Sequence, residues 1–87
     1  MELKVDRYII EEIMKLECDN SVGHFNSFNL LNSKSFVELI NGSDNNLFYR
    51  CSIDDIINSD ISAEELILIR NGGWELDDSK QFLVKKL

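Results

Sequence analysis

The chain has 87 residues, of which 44% are hydrophobic and 29% are charged, and its formal net charge is −7. This composition is typical of a folded protein, and the length fits one domain, residues 1–87, with a single core. The charge balance argues against direct binding of nucleic acid or of an anionic membrane surface, because both need clustered Lys and Arg. The only adjacent basic residues are Lys85 and Lys86.

Compartment and source are indicated only by coarse features. No apolar run approaches the roughly 18 residues that a membrane-spanning helix needs. The N-terminal segment MELKVDRYII carries charges where a signal peptide has its apolar region. Cys18 and Cys51 are too few for the disulfide framework of a small secreted domain, so we expect a cytoplasmic protein with reduced thiols. Abundant Ile and Asn with no Pro favour a bacterial or phage source.

Residues 6–17, DRYIIEEIMKLE, are predicted to form an N-terminal helix. Asp6 can act as its N-cap. Apolar residues then recur at helical spacing and would form one broad face: Ile9, Ile10, Ile13, Met14 and Leu16. The helix should end near residues 18–23, CDNSVG, where polar residues cluster.

The middle of the chain is predicted to contain an antiparallel hairpin. Residues 25–40 show no single period, so strand and helix both remain open there. We interpret residues 36–40 as a strand because residues 47–53, LFYRCSI, alternate in character, and the turn-forming NGSDNN lies between the two. One face of the second strand carries Leu47, Tyr49, Cys51 and Ile53, and the other carries Phe48, Arg50 and Ser52. Residues 28–31 would extend the hairpin to a meander if they form a third strand.

Residues 52–57 are predicted to form one helical turn, and residues 62–73, SAEELILIRNGG, a second helix. Ser62 and Glu65 have capping-box spacing, which marks the start of that helix. Glycine follows a helix here, so the pair Gly72–Gly73 indicates a helix C-terminus and not a phosphate-binding loop. We predict that Gly72 adopts the left-handed conformation.

A C-terminal β-hairpin should follow the two glycines. Trp74 and Leu76 would face Phe82 and Val84 across it. The predicted fold class is therefore α+β: an N-terminal helix, a central antiparallel hairpin or meander, a second capped helix and a C-terminal hairpin. The helices should form a single layer on a small antiparallel sheet.

Few residues suggest catalysis or metal binding. Cys18, Cys51 and His24 could form a thiol site, but no local signature surrounds either cysteine. They are also too few and too widely spaced for a typical zinc site. Adjacent carboxylates on a helix point about 100° apart and do not converge on one substrate atom. We therefore predict no catalytic residues, no metal and no cofactor.

An acidic segment is the most distinctive feature of the charge distribution. Between Cys51 and Ile69 there is no Lys or Arg, but there are five acidic residues, which we call the acidic patch: Asp54, Asp55, Asp60, Glu64 and Glu65. If the turn at 53–57 and the helix at 62–71 lie side by side, the patch forms one negative surface. Such a surface could attract a basic partner, or it could serve solubility alone.

These observations favour a non-catalytic protein-interaction module: an accessory, inhibitory or regulatory protein whose partner is basic or binds nucleic acid. The alternative is a small cysteine-dependent enzyme or redox-active protein that uses Cys18 or Cys51 with His24. A homodimer is also predicted, because residues 47–53 and 80–86 contain no Pro that would protect an exposed sheet edge.

Overall fold

The computed structural model describes residues 5–19, 21–42 and 46–87. The elements in chain order are α1 (Arg7–Met14), α2 (His24–Lys34), β1 (Val37–Asn41), β2 (Leu47–Ser52), α3 (Ile53–Ile57), α4 (Ala63–Asn71), β3 (Glu75–Leu76) and β4 (Phe82–Lys86). The fold is α+β, as predicted, and the order of the elements broadly matches the prediction. The predicted NGSDNN loop lies partly outside the described residues.

The four strands form one antiparallel sheet in the order β1-β2-β4-β3. The predicted central hairpin is present, with Leu39 opposite Tyr49. Strand β4 returns to pair with β2, which places Leu83 opposite Cys51. The segments 47–53 and 80–86 are therefore the inner strands of the sheet. Our prediction that they form its edges was wrong, because local sequence patterns do not show that these two distant segments pair.

Residues 28–31 belong to helix α2, so the third strand considered for them is wrong. Ser27 and Leu31 are both fully buried and lie one helical turn apart. The helical face is therefore partly polar, which explains why the apolar residues of this segment showed no clear period. Helix α2 packs against α4.

Helix α4 begins as predicted but ends differently. Ser62 accepts a hydrogen bond from the Glu65 amide at 3.1 Å, and the Glu65 carboxylate accepts one from the Ser62 amide at 3.0 Å. At the other end Gly72 has φ −87°, so it is not left-handed, and Gly73 (φ 98°) takes that conformation instead. Gly72 is needed for a different reason: a Cβ at this position would overlap the Ser27 side chain.

The C-terminal hairpin has a register different from the one predicted. Leu76 pairs with Leu83, and Leu83 is the buried residue of the returning strand. Phe82 and Val84 therefore lie on the opposite face, one residue out of phase with the prediction. The turn explains the shift: the Asp77 carboxylate accepts hydrogen bonds from the amides of Gln81 (3.1 Å) and Phe82 (3.3 Å) and sets the start of β4.

One face of the sheet and the helices form the core. Aromatic rings link the layers, since Phe28 of α2 contacts Tyr49 of β2 at 4.5 Å between centroids and Tyr49 stacks on Trp74 at 6.3 Å. The buried hydrophobic residues are Val5, Ile10, Ile13, Met14, Leu31, Cys51, Ile53, Ile56, Ile61, Leu66, Ile69, Trp74 and Leu83. In the part of the chain that the structure describes, no helix has the length and apolar character to cross a membrane.

Candidate functional site

The face of the sheet that points away from the helices is the main candidate site. Residues opposite each other on neighbouring antiparallel strands project to the same side. The register therefore gathers one set of side chains, which we call the outer sheet face: Glu38, Ile40, Phe48, Arg50, Ser52, Glu75, Phe82, Val84 and Lys86. None of these residues belongs to the buried core.

Arg50 lies at the centre of the outer sheet face. Its Nε and Nη2 atoms donate to one oxygen of the Glu38 carboxylate, at 3.2 and 2.8 Å. Its guanidinium carbon lies 4.4 Å from the centroid of the Phe82 ring, a cation–π distance. These contacts fix the position of the Arg50 side chain on the sheet. A partner that bound here would therefore meet a pre-ordered side chain and would cause little further loss of side-chain entropy.

Two depressions flank Arg50 and Phe82. The larger, about 500 Å³ and open to solvent, is lined by a mainly apolar set that includes Leu47, Phe48 and Val84. The smaller, about 170 Å³, lies among Phe36, Glu38, Ser52 and Asp55 together with Arg50 and Phe82. Both lie on the surface of the sheet beside apolar side chains and are suited to receive side chains of a partner.

Aromatic and aliphatic side chains make this face unusual for a solvated surface. Phe36 precedes β1 and is 67% exposed, while Ile40, Phe48, Phe82 and Val84 are half-buried. Grouped apolar side chains with a polar border are typical of protein-binding sites, whereas single exposed ones are not informative.

Three of the five residues of the acidic patch have ion-pair or hydrogen-bond partners in the structure. Asp54 pairs with Arg7 at 3.3 Å, and Asp60 pairs with Lys34 at 3.3 Å. Exposed pairs of this kind add little stability. They do, however, bring two positive charges into the acidic segment from positions far away in the chain. Glu65 is engaged in the cap of α4, as described above.

The two remaining acidic residues lie on different helices. Asp55 is exposed on α3 and lines the smaller depression of the outer sheet face. Glu64 is exposed in the first turn of α4. Helix α3 packs on β2, whereas α4 packs against α1 and α2. Of the five acidic residues, Asp55 is thus the one that the structure places beside the apolar surface.

The cysteines are in different environments. Cys51 is 1% exposed and its thiol donates to the Ser35 hydroxyl at 3.4 Å. Burial raises the pKa of Cys51 to about 11, so its thiol is protonated at neutral pH. Cys18 is half-buried. The side chain of His24, the third member of the predicted thiol site, is not among the side chains that the structure describes. Among the described side chains, no three potential ligands are grouped as a metal ion would require.

Comparison with known proteins identifies no relative: no family model, curated protein or solved structure matches the chain. Function is therefore inferred from the geometry of the site alone. Sequence reasoning had placed Phe48, Arg50 and Ser52 on one face of a strand but did not treat that face as a site. Their association with Phe82 and Val84 depends on the pairing of β2 with β4, which no local signal reveals.

Proposed function

We propose that the protein is a small non-catalytic interaction module that binds another protein through its outer sheet face. The observation that carries this proposal is the group of half-buried aromatic and aliphatic side chains around Arg50, which Glu38 and Phe82 hold in place. Aromatic residues and arginine are enriched at the centres of protein interfaces. Such a module would act as an accessory, inhibitory or regulatory protein.

The charges around this surface favour a basic partner. Arg50 and Glu38 neutralise each other. Asp55, Glu75 and Asp77 then remain negative beside the apolar side chains, against one lysine, Lys86. With the net charge of −7, this arrangement would steer a positively charged protein, such as one that binds nucleic acid, toward the surface.

A cytoplasmic setting is part of the proposal. Neither Cys18 nor Cys51 forms a disulfide, which is the ordinary state of cysteines in a reducing compartment.

A peptide library displayed on phage tests the proposal directly. Selection on the immobilised protein should enrich peptides that combine large apolar residues with Lys or Arg. Their affinity should fall about tenfold or more in the variant Phe48→Ala, since aromatic residues at interface centres contribute about 2 kcal/mol or more. Rising salt should lower the affinity of the same peptides, because it screens the negative charges of Asp55, Glu75 and Asp77.

Leu68→Ala provides the matched control. Leu68 is 46% exposed on α4, away from the outer sheet face. The Leu68→Ala variant should bind the selected peptides with unchanged affinity. Peptides that bind Phe48→Ala as tightly as the original protein, or that lack basic residues, would contradict the proposal.

A further inference from the structure

The outward-facing backbone groups of β1 can be assigned from the hydrogen bonds of the hairpin. The amide of Gly42 donates to the carbonyl oxygen of Asn46 at 2.7 Å. Directly opposed residues of an antiparallel pair alternate between hydrogen-bonded and non-hydrogen-bonded pairs. Ile40 and Glu38 lie two and four positions before Gly42. They therefore direct their backbone amide and carbonyl groups toward β2, as Gly42 does.

Val37, Leu39 and Asn41 consequently direct their amide and carbonyl groups away from β2. Strand β2 shows the complementary pattern, because the amide of Leu87 donates to the carbonyl oxygen of Leu47 at 3.1 Å on the side of β4. Among the described strands β1 has β2 as its single neighbour, so this row of backbone donors and acceptors lies along an open edge.

This edge lacks the features that usually prevent strand pairing. Strand β1 contains neither Pro nor Lys, and its one charged residue, Glu38, is held by Arg50. Leu39 is 58% exposed at the middle of the strand. The opposite edge of the sheet is different: β3 has two residues and lies against α1.

We propose that β1 pairs antiparallel with β1 of a second copy of the chain, about a two-fold axis at Leu39. This register places Val37 opposite the second copy's Asn41 and Leu39 opposite its own counterpart. All three outward-facing residues of each strand then bond, and the pair forms up to about six backbone hydrogen bonds. The two exposed leucines cover each other.

Charge distinguishes this register from its neighbours. With the axis at Leu39, each Glu38 lies opposite Ile40 of the second copy and keeps its own Arg50. An axis at Glu38 would instead oppose two carboxylates, which is destabilising. An axis at Ile40 would oppose only Leu39 and Asn41, of the three outward-facing residues, to residues of the second copy's β1. The strand is thus self-complementary in the Leu39 register in both hydrogen bonding and charge.

This inference goes beyond the proposed function and does not depend on it, and salt separates the two. Both copies carry a net charge of −7, so salt should strengthen their association by screening repulsion. The same change weakens the binding of a basic partner.

Sedimentation velocity over a range of protein concentrations tests the proposal. The protein should shift from monomer to dimer as its concentration rises, and more readily at high salt. Leu39→Lys places two like charges opposite each other and should raise the dissociation constant about tenfold or more. Leu68→Lys, the same change at a comparably exposed leucine, should leave it unchanged.

Amide hydrogen exchange in the unaltered protein provides an independent readout. The amides of Val37, Leu39 and Asn41 should exchange more slowly as the dimer forms, while that of Leu68 should not change. A monomer at every concentration and salt level, a dimer that Leu39→Lys does not weaken, or exchange of these three amides that ignores concentration would each overturn the proposal.

Discussion

Replacing Gly72 by Ala tests how tightly the end of α4 packs against α2. A Cβ at this position would approach the Cβ and Oγ atoms of Ser27 about 1 Å or more inside the ordinary separation of about 3.5–4.0 Å. It would also lie 3.3 Å from the carbonyl oxygen of Ile69. Alanine would not strain the backbone at this position, since φ is −87°.

The expected loss of stability follows from two effects. Overpacking in a closed core typically costs about 1–3 kcal/mol. In addition, the displaced Ser27 would lose the hydrogen bond that it accepts from the Trp74 indole at 3.1 Å, and an unsatisfied buried group costs about 1–3 kcal/mol. Alanine also lowers the entropy of the unfolded chain, which offsets the loss of stability by up to about 1 kcal/mol. We expect Gly72→Ala to lower the free energy of unfolding by about 2–4 kcal/mol.

Urea unfolding followed by Trp74 fluorescence and by circular dichroism measures this loss. The variant Ser27→Gly removes the two side-chain atoms that the new methyl group would overlap. In that background Gly72→Ala should therefore cost less than about 1 kcal/mol, so that a double-mutant cycle shows strong coupling. The reasoning is refuted if Gly72→Ala is neutral in the original protein, or if it costs the same with glycine at position 27.

Further predictions concern the helix cap, the buried thiol and the acidic residues. Ser62→Ala should lower the free energy of unfolding by about 1 kcal/mol, measured in urea, because it removes the N-cap of α4. Burial raises the pKa of Cys51 from 9.0 to about 11. The folded state therefore holds the thiol proton more tightly than the unfolded state does. This contribution to stability is complete below about pH 9 and is lost as the pH rises toward 11, because the unfolded chain then releases its proton first. A comparison of urea unfolding at pH 8 and pH 10.5 should show a smaller loss in Cys51→Ala than in the original protein. Equal losses would contradict this explanation. Asp55→Asn should slow the association of the selected basic peptides, measured by stopped flow, more than Asp60→Asn, since Asp60 pairs with Lys34.

Local signals account for the parts of the fold that the sequence predicted correctly. The capping box at Ser62 needs only residues three positions apart, and the hairpin of β1 and β2 depends on alternation around a short loop. The failures have nonlocal causes. Ser27 is polar yet fully buried, and its hydroxyl oxygen accepts a hydrogen bond from the Trp74 indole. This polar residue interrupts the apolar period of α2.

The outer sheet face was only half visible in the sequence. The alternation of β2 placed Phe48 and Arg50 on one side of a strand. Phe82 and Val84 on β4 were predicted on the wrong face, because the Asp77 turn shifts the register by one residue. The acidic patch was visible in the sequence, but the positive charges near it were not. The pairing of Arg7 with Asp54 depends on tertiary structure.

The central claim is that the outer sheet face is the surface that binds a partner, and nuclear magnetic resonance of the labelled protein tests it most directly. On titration with a basic peptide selected on the protein, the amide signals of Phe48, Arg50 and Val84 should move most. Those of Leu68 in α4 should remain in place. Shifts concentrated on α4, or absent from β2 and β4 at a peptide concentration that saturates binding, would contradict the account.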